Sequence, residues 1–173
     1  MKKSDRDKLQ DVLMLEMSIT LEILTTPCDP VTEDESLDLV NEMIRRTAHL
    51  KNDSVGIAGN QIGLNKRIFT AKINGKWRYF INPTLLGGRY VHDVPKVDGG
   101  ESCLSIPNMA VIVPRYQNIR IQYLDILWLP VEMDLHGFDA RVVQHELDHL
   151  DGILITDHLE DKLWSKGEPN EEE

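Results

Sequence analysis

A hairpin signal in the middle of the chain constrains the fold more than any other feature. Two runs rich in β-branched and aromatic residues, RIFTAKI and KWRYFIN, are separated only by Asn74 and Gly75. Asn-Gly readily takes the left-handed backbone of a two-residue turn, whose twist matches that of paired antiparallel strands. The later runs AVIVPR and NIRIQYLD are also strand-like. The sequence therefore predicts an antiparallel sheet.

A first helix is predicted from about residue 33 to 50. Thr32 and Glu35 form a capping box at its start. The apolar residues that recur on one face of this helix are Leu37, Val40, Ile44 and Ala48. By contrast, the stretch from Pro83 to Gly100, rich in glycine and proline, predicts a loop.

A second helix is predicted in the segment GFDARVVQHELDHLDG. Four of its residues lie on one helical face at steps of four, three and four: Phe138, Val142, His145 and His149. Gly152 is predicted to end it. Apolar residues surround the histidines, so this helix is expected to be buried. The predicted fold class is α+β, with antiparallel β-sheets packed around a central helix that carries an HExxH motif.

The length of the chain predicts a single domain. Its 173 residues are enough for one continuous core but not for a second full domain. Residues 1–18 are expected to form an N-terminal arm or a short helix, and residues 166–173 a disordered acidic tail.

Charge and cysteine content exclude several classes of protein. With a net charge of −10 and no run of lysine or arginine, direct binding to nucleic acid is not expected. No apolar run predicts a membrane span or a secretory signal, so the expected location is cytoplasmic. The two cysteines, Cys28 and Cys103, are far apart and do not predict a disulfide framework. Cys28, in the turn-like segment TTPCDP, is predicted to be a structural thiol.

The motif His145-Glu-Leu-Asp-His149 indicates a metal site. Histidines at i and i+4 lie one helical turn apart, so both imidazoles can reach one ion, and Glu146 lies beside them as a candidate general base. An exposed helix with two surface histidines is the alternative, which the apolar surroundings disfavour. A catalytic site needs a third protein ligand and one open position. Cys103 is the available thiol, with His158 as its competitor.

Three stretches, in order, resemble the signature motifs of peptide deformylases. They are VGIAGNQIG, ESCLSIP and QHELDHLDG, which together span residues 55 to 152. The resemblance implies that Cys103, His145 and His149 bind the metal and that Glu146 is the catalytic base. The sequence departs from the usual motifs at Ser54, Gly59, Asn60 and Ser102, none of which is a reacting group.

The resemblance also implies how the oxyanion and the peptide are bound. Gln61 and the backbone N–H of Leu104 would stabilise the oxyanion. Phe138 and Val142, with Val55 and Ile57 opposite, are predicted to line an apolar pocket for methionine. The rest of the peptide is expected to lie along the backbone of residues 55–57, including Gly56, and of the 100–102 turn. That turn contains Glu101 and Ser102. Arg115 and Asp148 are expected to form an ion pair behind the helix.

The implied activity is the hydrolysis of N-formylmethionyl peptides of nascent chains, with release of formate. The implied cofactor is one divalent metal ion, Fe(2+) in the cell, with Zn(2+), Ni(2+) or Co(2+) as substitutes. The protein is expected to be a monomer. The chain ends 24 residues after His149, which leaves ribosome association open. Two alternatives remain at this point, a zincin-like endopeptidase and a metal-binding homologue without activity.

Overall fold

The computed structural model describes residues 21–48, 54–89 and 100–159. The predicted arm or helix at residues 1–18 and the predicted tail at residues 166–173 lie outside the described residues. Most of the predicted loop, residues 90–99, also lies outside them.

Antiparallel strands form two sheets. The strands of the main sheet are β1 (Gly56–Ala58), β2 (Ile68–Ile73), β3 (Lys76–Arg89), β6 (Asn118–Leu124) and β7 (Pro130–His136). Their spatial order is β1-β2-β3-β6-β7, so β1 lies at an edge. The strands of the smaller sheet are β4 (Glu101–Cys103) and β5 (Ile106–Val111). The predicted strand AVIVPR is therefore displaced, because β5 ends at Val111.

The predicted hairpin is confirmed, and its second strand is longer than expected. Ile73 pairs with Lys76, and the two turn residues between them, Asn74 and Gly75, have φ angles of 49° and 76°. The loop predicted from Pro83 is wrong up to residue 89, because β3 continues to there and pairs with β6. Register shifts between Ile81 and Thr84 leave Pro83 outside the ladder, where its missing N–H costs nothing.

The helices of the described residues include three α-helices and a short 3₁₀ helix. They are α1 (Leu21–Thr25), the 3₁₀ helix (Asn60–Ile62), α2 (Glu33–Thr47) and α3 (Gly137–Leu150). The capping box of α2 is present, since the N–H of Thr32 donates to Glu35 Oε1 over 2.8 Å. Within the described ranges no helix is long and apolar enough to cross a bilayer.

The face that α2 buries differs from the prediction. Leu37 and Ile44 are 62% and 45% exposed, whereas Val40 and Met43 are buried. The spacing of apolar residues therefore predicts the helix correctly, but the face that α2 buries is rotated by about one residue from the predicted face. Periodicity predicts that a helix forms. Which of its faces is buried depends on packing against the 3₁₀ helix and β2.

Helix α3 lies at the centre of the fold. One face of the main sheet and α3 share a core cluster that includes Phe69, Phe80, Ile121, Val143, Leu147 and Leu150. The rings of Phe69 and Phe80 stack with centroids 4.5 Å apart. Gly152 ends the helix as predicted, with φ 75°, and a methyl group on it would lie 2.6 Å from the carbonyl of Thr25. The α+β fold with a buried HExxH helix is confirmed.

The connection between β6 and β7 is organised by one carboxylate. Asp125 Oδ1 accepts hydrogen bonds from the N–H groups of Leu127 and Leu129, at 2.9 Å and 3.0 Å. Trp128 takes a left-handed conformation with φ 62° and packs on a second core cluster, which is formed by Val31, Val40, Met43, Ile57, Ile62, Ile68 and Ile81. An aspartate that binds the backbone two residues on replaces the glycine turn that a hairpin commonly uses.

Candidate active site

Three side chains from two elements meet at one point. The two histidines of α3 and Cys103 at the end of β4 place their ligand atoms within 4.8 Å of one another. Cys103 Sγ lies 3.1 Å from His149 Nε2. The competing ligand, His158, lies elsewhere, with its Nε2 2.8 Å from Asp148 Oδ2. The structure therefore brings together Cys103, His145 and His149, and it leaves His158 out.

The electrostatics of this cluster favour a thiolate. Burial raises the pKa of Cys103, but contacts with His145 and His149 outweigh it and hold the pKa well below the ordinary value. Burial lowers the pKa of His145, and its contacts with Cys103 and Glu101 outweigh that effect and raise it. The thiolate is the form that binds metals, and the lowered pKa favours this form of Cys103. Cys28 is the opposite case, because burial raises its pKa to about 11, which makes this thiol unreactive.

A buried ion-pair network orients His145. Glu101 Oε2 lies 3.1 Å from His145 Nδ1 and 2.9 Å from Arg115 Nη2. Arg115 also donates to Asp148 Oδ2 over 2.6 Å, which agrees with the predicted pair behind the helix. Burial raises the pKa of Glu101, but its contacts with His145 and Arg115 bring it down to about 2. The Glu101 side chain therefore holds His145, a role that its predicted place in a peptide-binding turn did not suggest.

Replacing Arg115 with methionine is expected to destabilise the fold by about 3 to 5 kcal/mol. The reason is that Glu101 and Asp148 would both lose the guanidinium group of Arg115, and the Glu101 side chain is only 7% exposed. Urea denaturation of the metal-free protein measures the change. Arg120→Met is the control, since Arg120 is 57% exposed and its pair with Glu132 is worth less than about 1 kcal/mol. Equal effects of the two substitutions would contradict the role of the buried network.

Glu146 lies buried beside the cluster. It is 3% exposed, and its Oε2 has no hydrogen-bond partner among the described residues. Burial raises its pKa to about 7, although His145 and His149 partly offset the effect. A carboxylate with this pKa can both accept and donate a proton near neutrality. Its backbone neighbour on β1 is Gly56, and a methyl group there would lie 2.3 Å from Glu146 Oε1.

Gln61 reaches the same point from the 3₁₀ helix. Its Oε1 accepts the N–H of Ala58 over 2.9 Å, which fixes the direction of the amide. Its Nε2 then donates to Ser105 Oγ over 3.1 Å and lies 3.5 Å from Cys103 Sγ. The amide N–H group is thus held beside the thiolate. Ser105 has no counterpart among the residues that the sequence predicted.

A pocket opens beside the cluster between β1, β4 and α3. Predicted residues that line it are Val55, Gly56, Gln61, Glu101, Ser102, Leu104, Phe138 and Val142. Ser54 and Arg141 line it as well and were not predicted. The prediction that the Ile57 side chain lines the pocket is wrong, because this side chain is 1% exposed and packs in the second core cluster. Alternation along β1 turns Gly56 toward the pocket and Ile57 away from it.

The donor set fits a transition metal. One thiolate and two imidazole nitrogens are borderline-soft ligands, and three protein ligands are typical of catalytic sites. Nε2 of His149 lies 3.1 Å from Cys103 Sγ, while its buried Nδ1 has no partner in the part of the chain that the structure describes. A buried glutamate beside such a group of side chains, on an HExxH helix, is typical of metal-dependent hydrolases.

The chain belongs to the polypeptide deformylase family, which it matches over residues 17–163. This family removes the formyl group from N-formylmethionine peptides. The protein is accordingly a hydrolase that acts on an amide, and the resemblance seen in its three motifs is confirmed.

Similar proteins and structures cover most of the chain. The peptide deformylase of Treponema pallidum is 37% identical over 141 residues, 80% of this chain and 83% of that protein. Peptide deformylase 2 of Nostoc sp. is 36% identical over 135 residues, 72% of each chain. The peptide deformylase structure from Thermus thermophilus has a TM-score of 0.70 at 32% identity, covering 85% of this chain and 86% of its own. The Met-Ala-Ser-bound class I type b peptide deformylase from Acinetobacter baumannii has a TM-score of 0.67 at 29% identity, covering 79% and 92%.

Proposed function

We propose that Cys103, His145 and His149 hold the metal of this deformylase and that Glu146 is its general base and acid. The observation that carries the proposal is the position of Glu146, which is buried beside the three ligands and makes no hydrogen bond through Oε2 to any described residue. A structural metal site has no use for such a carboxylate. A divalent ion bound there would act as a Lewis acid and lower the pKa of a neighbouring water.

Glu146 carries both proton transfers of the proposed reaction. The attacking water adds its oxygen to the formyl carbon and gives a proton to Glu146. The carbon–nitrogen bond breaks, and Glu146 returns the proton to the leaving amine, which yields formate and a free N-terminus. A pKa of about 7 suits Glu146 to both steps. Gln61 Nε2 and the backbone N–H of Leu104 would donate to the oxygen that becomes negative.

Gln61→Leu is expected to lower kcat by about 10²- to 10³-fold, as the loss of one oxyanion donor does elsewhere. Leucine keeps the approximate volume but cannot donate. Metal content measured on the same samples should stay at the wild-type level, because Gln61 is not a proposed ligand. The control is Gln117→Leu, on the exposed connection before β6. Unchanged kcat in the Gln61 variant would remove this residue from the mechanism.

Gly56→Ala is expected to lower kcat/KM by about 10²-fold, the typical cost of moving a catalytic group by about 1 Å. The added methyl group would lie 2.3 Å from Glu146 Oε1, so the carboxylate must shift. The control is Gly87→Ala in β3, where the added methyl group has no heavy atom within 4 Å. Formate release by the two variants measures the difference. Full activity of Gly56→Ala would show that the Glu146 position is not critical.

The substrate is proposed to extend the main sheet. β1 is an edge strand, and the pocket runs between it and β4. An extended formylmethionyl peptide would form backbone hydrogen bonds with residues 55–57 and 100–102. These bonds contribute affinity that does not depend on the side chains of the peptide after methionine. The Acinetobacter relative solved with Met-Ala-Ser supports this peptide class. Phe138, Val142 and Val55 would contact the methionine.

The resident metal is proposed to be Fe(2+), with zinc, nickel or cobalt able to replace it. A thiolate and two imidazoles suit all four ions.

Nascent chains with N-formylmethionine are the proposed partners. We propose that the reaction takes place in the cytoplasm, where the two buried free cysteines would stay reduced. The protein is proposed to act as a monomer.

Incubation of the iron-loaded protein with formyl-Met-Ala-Ser tests the proposed function. Formate is expected in equal amount to a Met-Ala-Ser peptide whose chain is intact, as seen by mass spectrometry. Cleavage of a peptide bond in either the formylated or the unformylated peptide would favour an endopeptidase. Absence of any product from metal-loaded protein would favour a metal-binding homologue without activity.

A further inference from the structure

The side chain of Asn60 joins the 3₁₀ helix to the end of α3. Asn60 is completely buried. Its Nδ2 donates to the backbone carbonyl of His149 over 2.6 Å, across 89 positions of sequence. A hydrogen bond between two buried groups is costly to lose, because neither group can turn to water instead.

This carbonyl lies where α3 most needs support. The helix ends at Leu150, so the carbonyls of its last turn have no intrahelical donor four residues on. Gly152 N–H donates to the His149 carbonyl over 3.1 Å, and Cys28 N–H donates to the Leu150 carbonyl over 2.8 Å. His149 therefore lies in the last turn of α3, and the Asn60 side chain donates to the backbone carbonyl of His149 itself.

The same two residues also carry complementary unused hydrogen-bonding atoms. Asn60 Oδ1 is a buried acceptor, and His149 Nδ1 is a buried ring nitrogen, and neither has a partner among the described residues. A histidine that binds a metal through Nε2 carries its proton on Nδ1 and needs an acceptor for it. His145 has such an acceptor in Glu101.

We infer that Asn60 is a positioning residue for His149: its amide fixes the last turn of α3 so that Nε2 of this ring faces Cys103 Sγ. The inference rests on the proposed function, because it takes His149 as a metal ligand. Asn60 touches neither substrate nor metal in this assignment. Its effect reaches the metal through the backbone of the ligand.

Metal binding by Asn60→Leu tests the inference. Leucine keeps the approximate volume of asparagine and removes both the donor and the acceptor. Cobalt(II) affinity, measured by competition with a chelator, is expected to fall roughly 10- to 100-fold, as it does when partners of metal ligands are removed. The thiolate-to-cobalt absorption band should change in position or intensity. A purely structural role would lower the stability of the metal-free protein and leave both readouts unchanged.

Asn82→Gly is the matched control. Asn82 makes two side-chain hydrogen bonds to the backbone of Val31, at 2.8 Å and 2.9 Å, away from the pocket. Glycine suits its φ of 48°. This variant is expected to be less stable and to bind cobalt like the wild type. If Asn60→Leu does not fold, Asn60→Ala takes its place.

Wild-type cobalt affinity and an unchanged band in the Asn60 variant would overturn the inference. A wild-type protein that shows no thiolate-to-cobalt band would overturn the proposed metal site itself. The two failures are therefore distinguishable.

Discussion

Glu146→Gln is expected to lower formate release by about 10³-fold or more, while metal content stays unchanged. Glutamine has the shape of glutamate but cannot accept the proton of the attacking water. The rate with formyl-Met-Ala-Ser and the metal content of the same sample measure both effects. Glu132→Gln, at an exposed position of β7, is the control and should keep full activity. Equal activity of the Glu146 variant and the wild type would discredit the assigned base.

The same substitution is expected to stabilise the metal-free protein at alkaline pH. Burial raises the pKa of Glu146 from 4.5 in the unfolded chain to about 7 in the fold. The folded state thus binds the proton more tightly, so wild-type stability is full below pH 4.5 and falls as the pH rises through 7. Glutamine does not titrate, so the variant should gain up to about 3 kcal/mol over the wild type at pH 8 and little at pH 4. Urea denaturation at both pH values measures the difference.

A difference that did not grow with pH would show that Glu146 is not buried as a costly charge. A difference that grows with pH would show that the charged Glu146 destabilises the metal-free fold. A buried base that weakens the metal-free fold is typical of catalytic sites, where position matters more than stability.

Cys103→Ala is expected to lower metal affinity by well over 100-fold, more than the loss of a residue that only orients a ligand. The variant removes one of the three proposed ligands, and with it the thiolate-to-metal absorption band. Titration with cobalt(II) measures both. Cys28→Ala is the control, since Cys28 is also buried and free but has its pKa raised rather than lowered. Retention of wild-type affinity in Cys103→Ala would exclude this cysteine as a ligand.

Local sequence signals predicted the parts of the fold that local chemistry determines. The Asn74-Gly75 turn fixed the register of the central hairpin, and the capping box of Thr32 placed the start of α2. The histidines one turn apart predicted a shared site because helix geometry alone sets their separation. These features need no knowledge of distant residues.

Features that depend on distant contacts were missed. β3 continues past Pro83 because it pairs with β6, which lies far along the chain. The pairing contains two register shifts. The rotation of α2 depends on what it packs against. Glu101 was placed by its motif in a peptide-binding turn, and only the folded chain shows its carboxylate between Arg115 and His145.

Asn60 is the clearest such case within the site. In the sequence it is a departure from a familiar motif with no evident role. Its contact with the His149 carbonyl joins positions that are 89 residues apart. No periodicity or spacing predicts a side-chain contact of that kind.

A crystal structure of the zinc-loaded protein, with anomalous scattering at the zinc edge, tests the central claim most directly. The predicted result is one anomalous peak bound by Cys103 Sγ and by one ring nitrogen each of His145 and His149. A solvent molecule should complete the coordination within reach of Glu146. A peak at another place, or a fourth protein side chain such as His158 in the solvent position, would contradict the account.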